Sequence, residues 1–435
     1  MENSITLGFD LGTTNTKVCA LTNEGRILFT LSQPTQTIEV PTGAEMDPEG
    51  FISDLDALLR EAVSRVHESA DLPIRAIAFA GMGEAGYLAD YRNEPITNII
   101  LWYDRRGEKE AEEIKARYEE QIIRVSGIRV SNVAVIYKLC YLKKEIPLGG
   151  LRWIGVPELA ALHFSGRRFT DPTLAVRYGC YNLQMNRYSQ KILDTLDLEP
   201  FIFPPFLNAL RQDVTILPEM AERFGLSKNT RIIIAGHDDI VSAYGADLNL
   251  GEMVDSVGTA ESLVTLSAEC PNPLLSVRRH AGLAPYFTEG RFAVISGVGT
   301  TGNLFRQLQE TLGRSPAEID TLAASREPYP ANAARAEVTP KKMTRLILSE
   351  NLTPAQTANA VYDLIADAFA ERAESVISLT GTPSLIRFIG GGARSEELCA
   401  RKAGRLGIPY TRDAEKEPAA YGAARIALEN LQLNE

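Results

Sequence analysis

The chain has few of the features that mark disulfide-rich, membrane or secreted proteins. Its five cysteines are scattered without C-x-x-C spacing, which fits reduced, packed thiols better than disulfides or a zinc site. No apolar run reaches the length of a membrane span, and the opening MENSITLGFD lacks the basic and apolar regions of a secretory signal. We therefore expect a cytoplasmic protein with no membrane partner.

An excess of positive charge is also missing. The chain has 45 Lys and Arg against 56 Asp and Glu, a formal net charge of -11, and no basic run with interleaved aromatic residues. Such a chain is a poor partner for nucleic acid. The P-loop pattern G-x-x-x-x-G-K-[ST] is absent too, which excludes that class of nucleotide-binding enzyme.

The length of 435 residues exceeds what one hydrophobic core usually organises. Two domains are therefore predicted. A proline-rich loop at 200–205 precedes a new apolar strand, and we place the boundary there, giving domains 1–231 and 232–435.

The first twenty residues predict a hairpin with a polar tip. An apolar strand leads to Asp10 and to a turn containing Gly12, Thr13 and Thr14, and a second apolar run follows. Backbone N–H groups and threonine hydroxyls in such a turn can meet phosphate oxygens, and Asp10 is placed to hold a divalent cation. An ordinary hairpin turn is the alternative.

The segment GMGEAG at 81–86 matches the dinucleotide pattern G-x-G-x-x-G. That pattern requires a helix after the glycines, whereas the residues from Tyr87 to Asp90 resemble a strand. We therefore reject a dinucleotide site. Glu84 is a candidate for a substrate contact, with a solvated loop acid as the alternative.

The second half repeats the design of the first. The strand Ile232–Ala235 leads to Asp238 and Asp239, and DSVGTAESL then repeats the strand, Gly-Thr turn and strand of FDLGTTNTK. This similarity indicates an internal duplication at the scale of a domain. The segment 315–344, which is rich in alanine, proline and charge, is predicted to be a surface excursion.

Taken in order, these segments resemble the FGGY family of carbohydrate kinases. The resemblance rests on DLGTTNTK, IAFAGMGEAG, ILWYDRR, IIIAGHDDIVSAYGA, VGTAES, FIGGGARS and EPAAYGAA. It implies an α/β protein of two actin-like, ribonuclease-H-like domains around a central cleft. The N-terminal domain would hold a sugar, and the C-terminal domain most of an ATP molecule.

The resemblance also implies roles for individual residues. By its position relative to Gly245, Asp238 matches the catalytic base of the family; its alternative is a helix N-cap. The other implied roles are substrate binding for Gly83, Glu84, Asp104, Asp238 and Asp239, phosphate binding for Gly12, Thr13, Thr14, Lys17, Gly258 and Thr259, an adenosine shelf at Gly391, Gly392 and Ala393, and Mg²⁺ binding for Asp10.

The resulting hypothesis is an ATP- and Mg²⁺-dependent kinase, possibly a homodimer, for a small sugar hydroxyl. The acceptor would be a pentulose or related ketose, with a polyol as the next choice. Two alternatives stay open. One is a catalytically weak member of the family that senses sugar and nucleotide, and the other is an actin-like ATPase with a protein client.

Overall fold

The computed structural model describes residues 3–70, 72–258, 261–299, 301–338 and 344–434. The elements of the first half are β1 (Ile5–Leu11), β2 (Asn15–Thr22), β3 (Ile27–Pro34), β4 (Ile38–Val40), β5 (Gly43–Met46), α1 (Pro48–Ser69), β6 (Ile74–Gly81), β7 (Gly86–Ala89), β8 (Ile99–Ile100), α2 (Glu108–Ser126), α3 (Val135–Leu142), β9 (Arg152–Gly155), α4 (Val156–Ser165), α5 (Pro172–Ala175), β10 (Tyr181–Asn182), β11 (Arg187–Tyr188), α6 (Gln190–Leu196), α7 (Pro218–Phe224), β12 (Arg231–His237) and α8 (Asp238–Gly245). The second half contains β13 (Glu252–Val257), β14 (Glu261–Ser267), α9 (Pro273–Arg278), β15 (Gly282–Pro285), β16 (Phe292–Gly299), α10 (Thr301–Leu312), α11 (Pro316–Ala324), β17 (Ala334–Val338), β18 (Thr344–Leu348), α12 (Pro354–Thr380), β19 (Leu385–Ile389), α13 (Glu396–Leu406), β20 (Tyr410–Asp413) and α14 (Pro418–Leu433).

The central sheet of the first half has the strand order β12-β6-β1-β2-β3. The strands β1, β2 and β3 are antiparallel neighbours, and β6 and β12 run parallel to β1. The central strands read as continuous apolar runs because helices cover both faces of the sheet. Strand β7 follows the GMGEAG bend directly, which confirms that no helix begins there.

The central sheet of the second half has the order β15-β16-β14-β13-β19-β20. Its hairpin β13–β14 is antiparallel, β16 is antiparallel to β14, and β19 and β20 run parallel to β13. Apart from the edge strand β15, the order and directions repeat those of the first sheet. The internal duplication predicted from the two Gly-Thr hairpins is therefore confirmed at the level of topology.

The strand β12 belongs to the first sheet. It is hydrogen-bonded to β6, so a boundary at residue 232 would separate a strand from its own sheet. Helix α14 also returns to this sheet, where the Thr6 hydroxyl donates to the Ala424 carbonyl at 3.0 Å. We propose instead that the first domain ends after α8 and recruits α14.

Local sequence signals explain where the principal helices begin. Asp47 caps α1 by accepting from the Gly50 N–H, and Pro48 occupies the first turn. Thr353 and Gln356 form a capping box at the start of α12. Ser315 begins α11 with a second capping box, so the surface excursion predicted over 315–344 contains an ordered helix in this part.

Helix α11 is packed rather than loose. Its residues Ile319 and Ala323 share a buried cluster with Tyr362 of α12. Within the described residues, no helix combines the length and the apolar character needed to cross a bilayer.

Candidate active site

Asp238 lies at the junction of β12 and α8. The N-cap position of α8 is taken by His237. The Asp238 carboxylate accepts from the adjacent Asp239 N–H at 2.8 Å, and its Oδ1 lies 3.1 Å from the His237 Nδ1. The alternative role of Asp238 as the helix N-cap is therefore wrong. Its side chain keeps 35% of its surface exposed, which leaves the carboxylate accessible to a ligand in the cleft.

The pKa values of two carboxyls in this region are raised. Removal from water raises the pKa of Asp238 to about 6, against the opposing charge of His237 and with the help of Asp239. Burial raises the pKa of Asp10 to about 7, and the negative charge of Asp238 adds to this effect more than Lys17 offsets it. In both cases burial is the largest cause, and neighbouring carboxylates add to it.

The first hairpin presents Asp10 beside its turn. Asp10 lies opposite Lys17 in the β1–β2 register, and the Lys17 ammonium pairs with Glu417 of the α14 cap at 2.6 Å. Thr14 is exposed at the tip, whereas the Thr13 hydroxyl accepts from the Trp102 indole at 3.0 Å. The structure thus brings the proposed phosphate contacts to one loop, with Lys17 already held by a carboxylate.

Gly12 and Asp10 have the chemistry that a phosphate and metal site requires. The Gly12 carbonyl accepts from the Thr35 hydroxyl at 2.8 Å, which fixes the turn. Carboxylate oxygens are the ligands that Mg²⁺ prefers in proteins. An Asp10 carboxyl with a raised pKa and a second carboxylate in electrostatic range fits a divalent cation.

Glu84 is buried rather than solvated. Its side chain accepts from the Arg177 Nε at 2.6 Å and from the Nη2 of the same residue, and it lies 3.8 Å from the His237 Nε2. Burial acts to raise the pKa of Glu84, but the Arg177 charge and the His237 hydrogen bond lower it to about 2. The alternative of a solvated loop acid is therefore wrong, and Glu84 is ionised.

Gly83 lets Arg177 and His237 approach Glu84. A Cβ atom at this position would lie 2.7 Å from the His237 Cδ2 and 2.8 Å from the Arg177 Cγ, which is closer than packing allows. A substrate contact through the Gly83 backbone stays a prediction.

Asp104 is fully buried, and its carboxylate is already occupied. It accepts from the Arg106 Nε, Nη2 and backbone N–H and from the Thr42 hydroxyl, all between 2.8 and 3.0 Å. These four hydrogen bonds use the accepting capacity of the group. In this conformation Asp104 supports the loop that carries Trp102, and its expected contact with the sugar stays a prediction.

Asp239 connects the two halves of the molecule. Its carboxylate accepts from the Ser262 hydroxyl of β14 at 2.6 Å. Both residues line a cavity of about 490 Å³ that Glu84 and Arg177 also line. The predicted substrate residues Glu84 and Asp239 thus face one space between the halves.

The second hairpin lies against the glycine shelf. Gly258 is exposed at the end of β13, while Thr259 lies outside the described residues. A Cβ atom at Gly392 would lie 2.3 Å from the Val257 Cγ1, so this glycine permits the contact. Gly391 faces open space, whereas Ala393 is buried and its carbonyl accepts from Arg412.

Sequence reasoning missed two residues of the site. Arg177 lies in a stretch of mixed signals, and its partner Glu84 is 93 residues away along the chain. No local pattern could have found this pair. Ser262 lies inside the hairpin segment VGTAES, so its hydroxyl at the turn was a usable signal.

Comparison with known proteins identifies the family of the chain. The model of the N-terminal domain of the FGGY family of carbohydrate kinases matches residues 5–245. The chain belongs to this family. It is 27% identical over 283 residues to L-fuculokinase from Escherichia coli (strain K12), which covers 63% of this chain and 59% of that enzyme. Glycerol kinase from Trichlorobacter lovleyi is 26% identical over 454 residues, 98% of this chain and 89% of that protein.

Solved structures of other family members have the same fold. Xylulose kinase from Lactobacillus acidophilus superposes with a TM-score of 0.86 at 22% identity, over 99% of this chain and 90% of that one. Glycerol kinase from Plasmodium falciparum, determined with ADP, gives a TM-score of 0.86 at 17% identity over 99% and 90%. The prediction of two actin-like, ribonuclease-H-like domains around a cleft is confirmed.

Proposed function

We propose that this FGGY protein transfers the γ-phosphoryl group of ATP to a hydroxyl of a small sugar, a pentulose or related ketose, or a polyol. The observation that carries the proposal is the Asp238 carboxylate, which is accessible, unused as a helix cap and raised in pKa to about 6. A general base is most effective when its pKa lies near the working pH. The kinase names of the relatives with which the chain aligns support the same reaction.

In the proposed reaction, Asp238 accepts the proton of the acceptor hydroxyl as the oxygen attacks the γ-phosphorus. The bond from phosphorus to the bridging oxygen breaks, and ADP leaves. Asp239 and the Glu84–Arg177 pair line the cavity in which the acceptor would lie. Positioning and electrostatics supply most of the catalysis in such a transfer.

The two hairpins would hold the triphosphate between them. Thr13 and Thr14 would contact phosphate from the first half, Gly258 and Thr259 from the second, and the glycine shelf would support adenosine. Mg²⁺ held at Asp10 would neutralise phosphate charge when bound. The homodimer and the cytoplasmic location stay predictions.

A release assay for ADP tests the proposal. It uses the full chain with a panel of ketoses, polyols and aldonates, and it compares Asp238→Ala with Asp194→Ala, a matched change at an exposed aspartate of α6. We expect acceptor-stimulated turnover that Asp238→Ala lowers by about 10²- to 10⁴-fold and Asp194→Ala leaves intact.

Each alternative function predicts a different result in this assay. An ATPase with a protein client would give turnover without an acceptor. A sensor would bind acceptor and nucleotide without turnover. Stimulation that survives Asp238→Ala would contradict the role of Asp238 as the base.

A further inference from the structure

The cavity between the two halves is lined by two arginines, Arg129 and Arg372, that form no ion pair among the described residues. We propose, resting on the kinase function above and replacing the neutral acceptors named there, that the acceptor is a sugar acid and that Arg129, His280 and Arg372 bind its carboxylate. All three residues line the same cavity as Glu84 and Asp239.

The three residues come from separate parts of the chain. Arg129 follows α2, His280 follows α9, and Arg372 lies on α12. The Arg129 Nη2 donates to the His280 Nδ1 at 2.9 Å, so the imidazole is neutral and keeps its Nε2–H as a donor. Arg177 extends the positive region toward β15, since its Nη1 would lie 3.9 Å from a Cβ atom at Gly282. The fold thus gathers arginines and an imidazole donor in one place.

Within the described residues, no ion pair involves Arg129 or Arg372, and their effects on neighbouring groups are repulsive. Burial lowers the pKa of His280, Arg372 and Arg129 lower it further, and Glu371 raises it. Burial likewise lowers the pKa of Arg372, with Glu371 opposing and Arg129 adding to the shift. The exposed Glu371 is thus in electrostatic range of these residues, but among the described residues it forms no ion pair with Arg129 or Arg372.

The carboxylates that line the cavity are occupied elsewhere. Glu84 pairs with Arg177, Glu261 lies 2.9 Å from the buried Lys402 ammonium, and Asp239 accepts from Ser262. Asp239 keeps its charge, but among the described residues none of the three carboxylates forms an ion pair with Arg129 or Arg372. A ligand carboxylate would do so, because arginine binds carboxylates through paired, charge-assisted hydrogen bonds.

The backbone at His280 fixes where its imidazole lies. The φ angle of 59° is in the left-handed region and ends α9, since the His280 N–H donates to the Val277 carbonyl at 3.0 Å and the Ala281 N–H donates to the Ser276 carbonyl at 2.9 Å. The His280 carbonyl accepts from the Ser296 hydroxyl at 2.9 Å, which helps to hold this conformation. The end of α9 thus places the imidazole beside Arg129.

The volume and lining suit an acidic acceptor. About 490 Å³ is within the range of small-molecule sites, and the serine hydroxyls of Ser131 and Ser262 line it together with apolar groups. A neutral ketose or polyol would fill the space but leave the cationic groups unpaired.

The test compares acceptors matched in chain length. We would measure kcat/KM for aldonates, D-gluconate among them, and for polyols with the same number of carbons, in the wild type, Arg372→Gln and Arg129→Gln. Arg279→Gln is the matched control, because Arg279 is exposed and lies outside the cavity lining. We expect an aldonate to be preferred, and the aldonate-to-polyol ratio to fall by about 10- to 100-fold in the two cavity variants but not in the control.

A preference for neutral acceptors over every aldonate, or an unchanged ratio in both cavity variants, would overturn the inference. If no acceptor is phosphorylated, the kinase function fails, and equilibrium binding decides the inference separately. Aldonate binding that both variants weaken would then support it, and the absence of aldonate binding would overturn it. Inorganic phosphate that binds through the same arginines while no aldonate binds would indicate a free-anion site and would also overturn it.

Discussion

Asp238 and Asp10 are the two carboxyls whose protonation most affects the proposed chemistry. Asp238 raises the pKa of Asp10. Within the described residues neither carboxyl forms an ion pair with an arginine or lysine, although the Asp238 Oδ1 lies 3.1 Å from the His237 Nδ1. An ionised Asp238 can accept a proton, whereas a protonated one cannot. The activity should therefore depend on pH through the raised pKa of Asp238.

We predict that kcat/KM for the acceptor, at saturating Mg-ATP, is constant above about pH 7 and decreases about tenfold per pH unit below about pH 6. The direction follows from the base, which loses its function as it becomes protonated. The residual activity of Asp238→Ala should lack this decrease at acidic pH. If kcat/KM of the wild type decreases only near pH 4, the ordinary carboxyl range, the environment of Asp238 does not shift its pKa.

At this scale the sequence identified acids better than it identified their partners. Glu84 was found because it lies in a bend after a buried strand, whereas Asp238 was identified through the resemblance to the FGGY kinases. Arg177 was not found, since the Glu84–Arg177 pair depends on how β6 and the segment after α5 meet in space. The hydrogen bonds of Asp104 to Arg106 and Thr42 could not be inferred from its position in the chain.

At the scale of elements, α8 and α14 approach each other through glycines. A Cβ atom at Gly422 would lie 2.1 Å from the Val241 carbonyl oxygen, and one at Gly245 would lie 2.9 Å from the Gly422 Cα. Because α8 begins with Asp238, its packing against α14 determines where the base lies. Replacing Gly422 should therefore affect both stability and catalysis.

We predict that Gly422→Ala lowers the free energy of unfolding by about 1–3 kcal/mol, through the displacement of backbone in contact. Urea denaturation is the measurement. The control is Gly404→Ala in α13, where an added Cβ meets nothing within 4 Å. That change should stabilise the protein by up to about 1 kcal/mol through helix propensity. Equal stability of the two variants would mean that α8 and α14 pack less closely than described.

The sequence predicted both Gly-Thr hairpins but not the sheet to which β12 belongs. Apolar runs around a Gly-Thr turn identified both hairpins, because this signal is local. The sheet to which β12 belongs could not be predicted in the same way. Its hydrogen bonds to β6 join residues 231–237 to a strand more than a hundred residues earlier in the printed sequence, so the domain boundary was placed too early.

At the scale of the whole molecule, the two duplicated halves supply different groups to the site. The first half supplies the β1–β2 turn, Asp238 and Glu84, and the second half supplies the β13–β14 turn and the glycine shelf. Ser262 and Asp239 join the halves by a direct hydrogen bond. Nucleotide binding should therefore depend on the shelf contact, and binding of the acceptor should depend mainly on the other side of the cleft.

We predict that Mg-ADP at about 100 times its Kd stabilises the wild type by about 2.7 kcal/mol, and that Gly392→Val removes most of this stabilisation. A side chain at this position would meet Val257 and separate the shelf from the second hairpin. Thermal unfolding with and without Mg-ADP is the measurement. The control is Gly391→Ala, since Gly391 faces open space in the same loop.

The same unfolding experiment is repeated with the acceptor in place of Mg-ADP. Stabilisation by an acceptor that the wild type phosphorylates should persist in Gly392→Val, because Asp239 and Glu84 lie outside the altered contact. Loss of stabilisation by both ligands would indicate that the substitution disrupts the fold of the second half rather than the nucleotide site. Undiminished stabilisation by Mg-ADP would contradict the assignment of residues 391–393 to the nucleotide, and would move the search for the adenosine site to another surface of the second half.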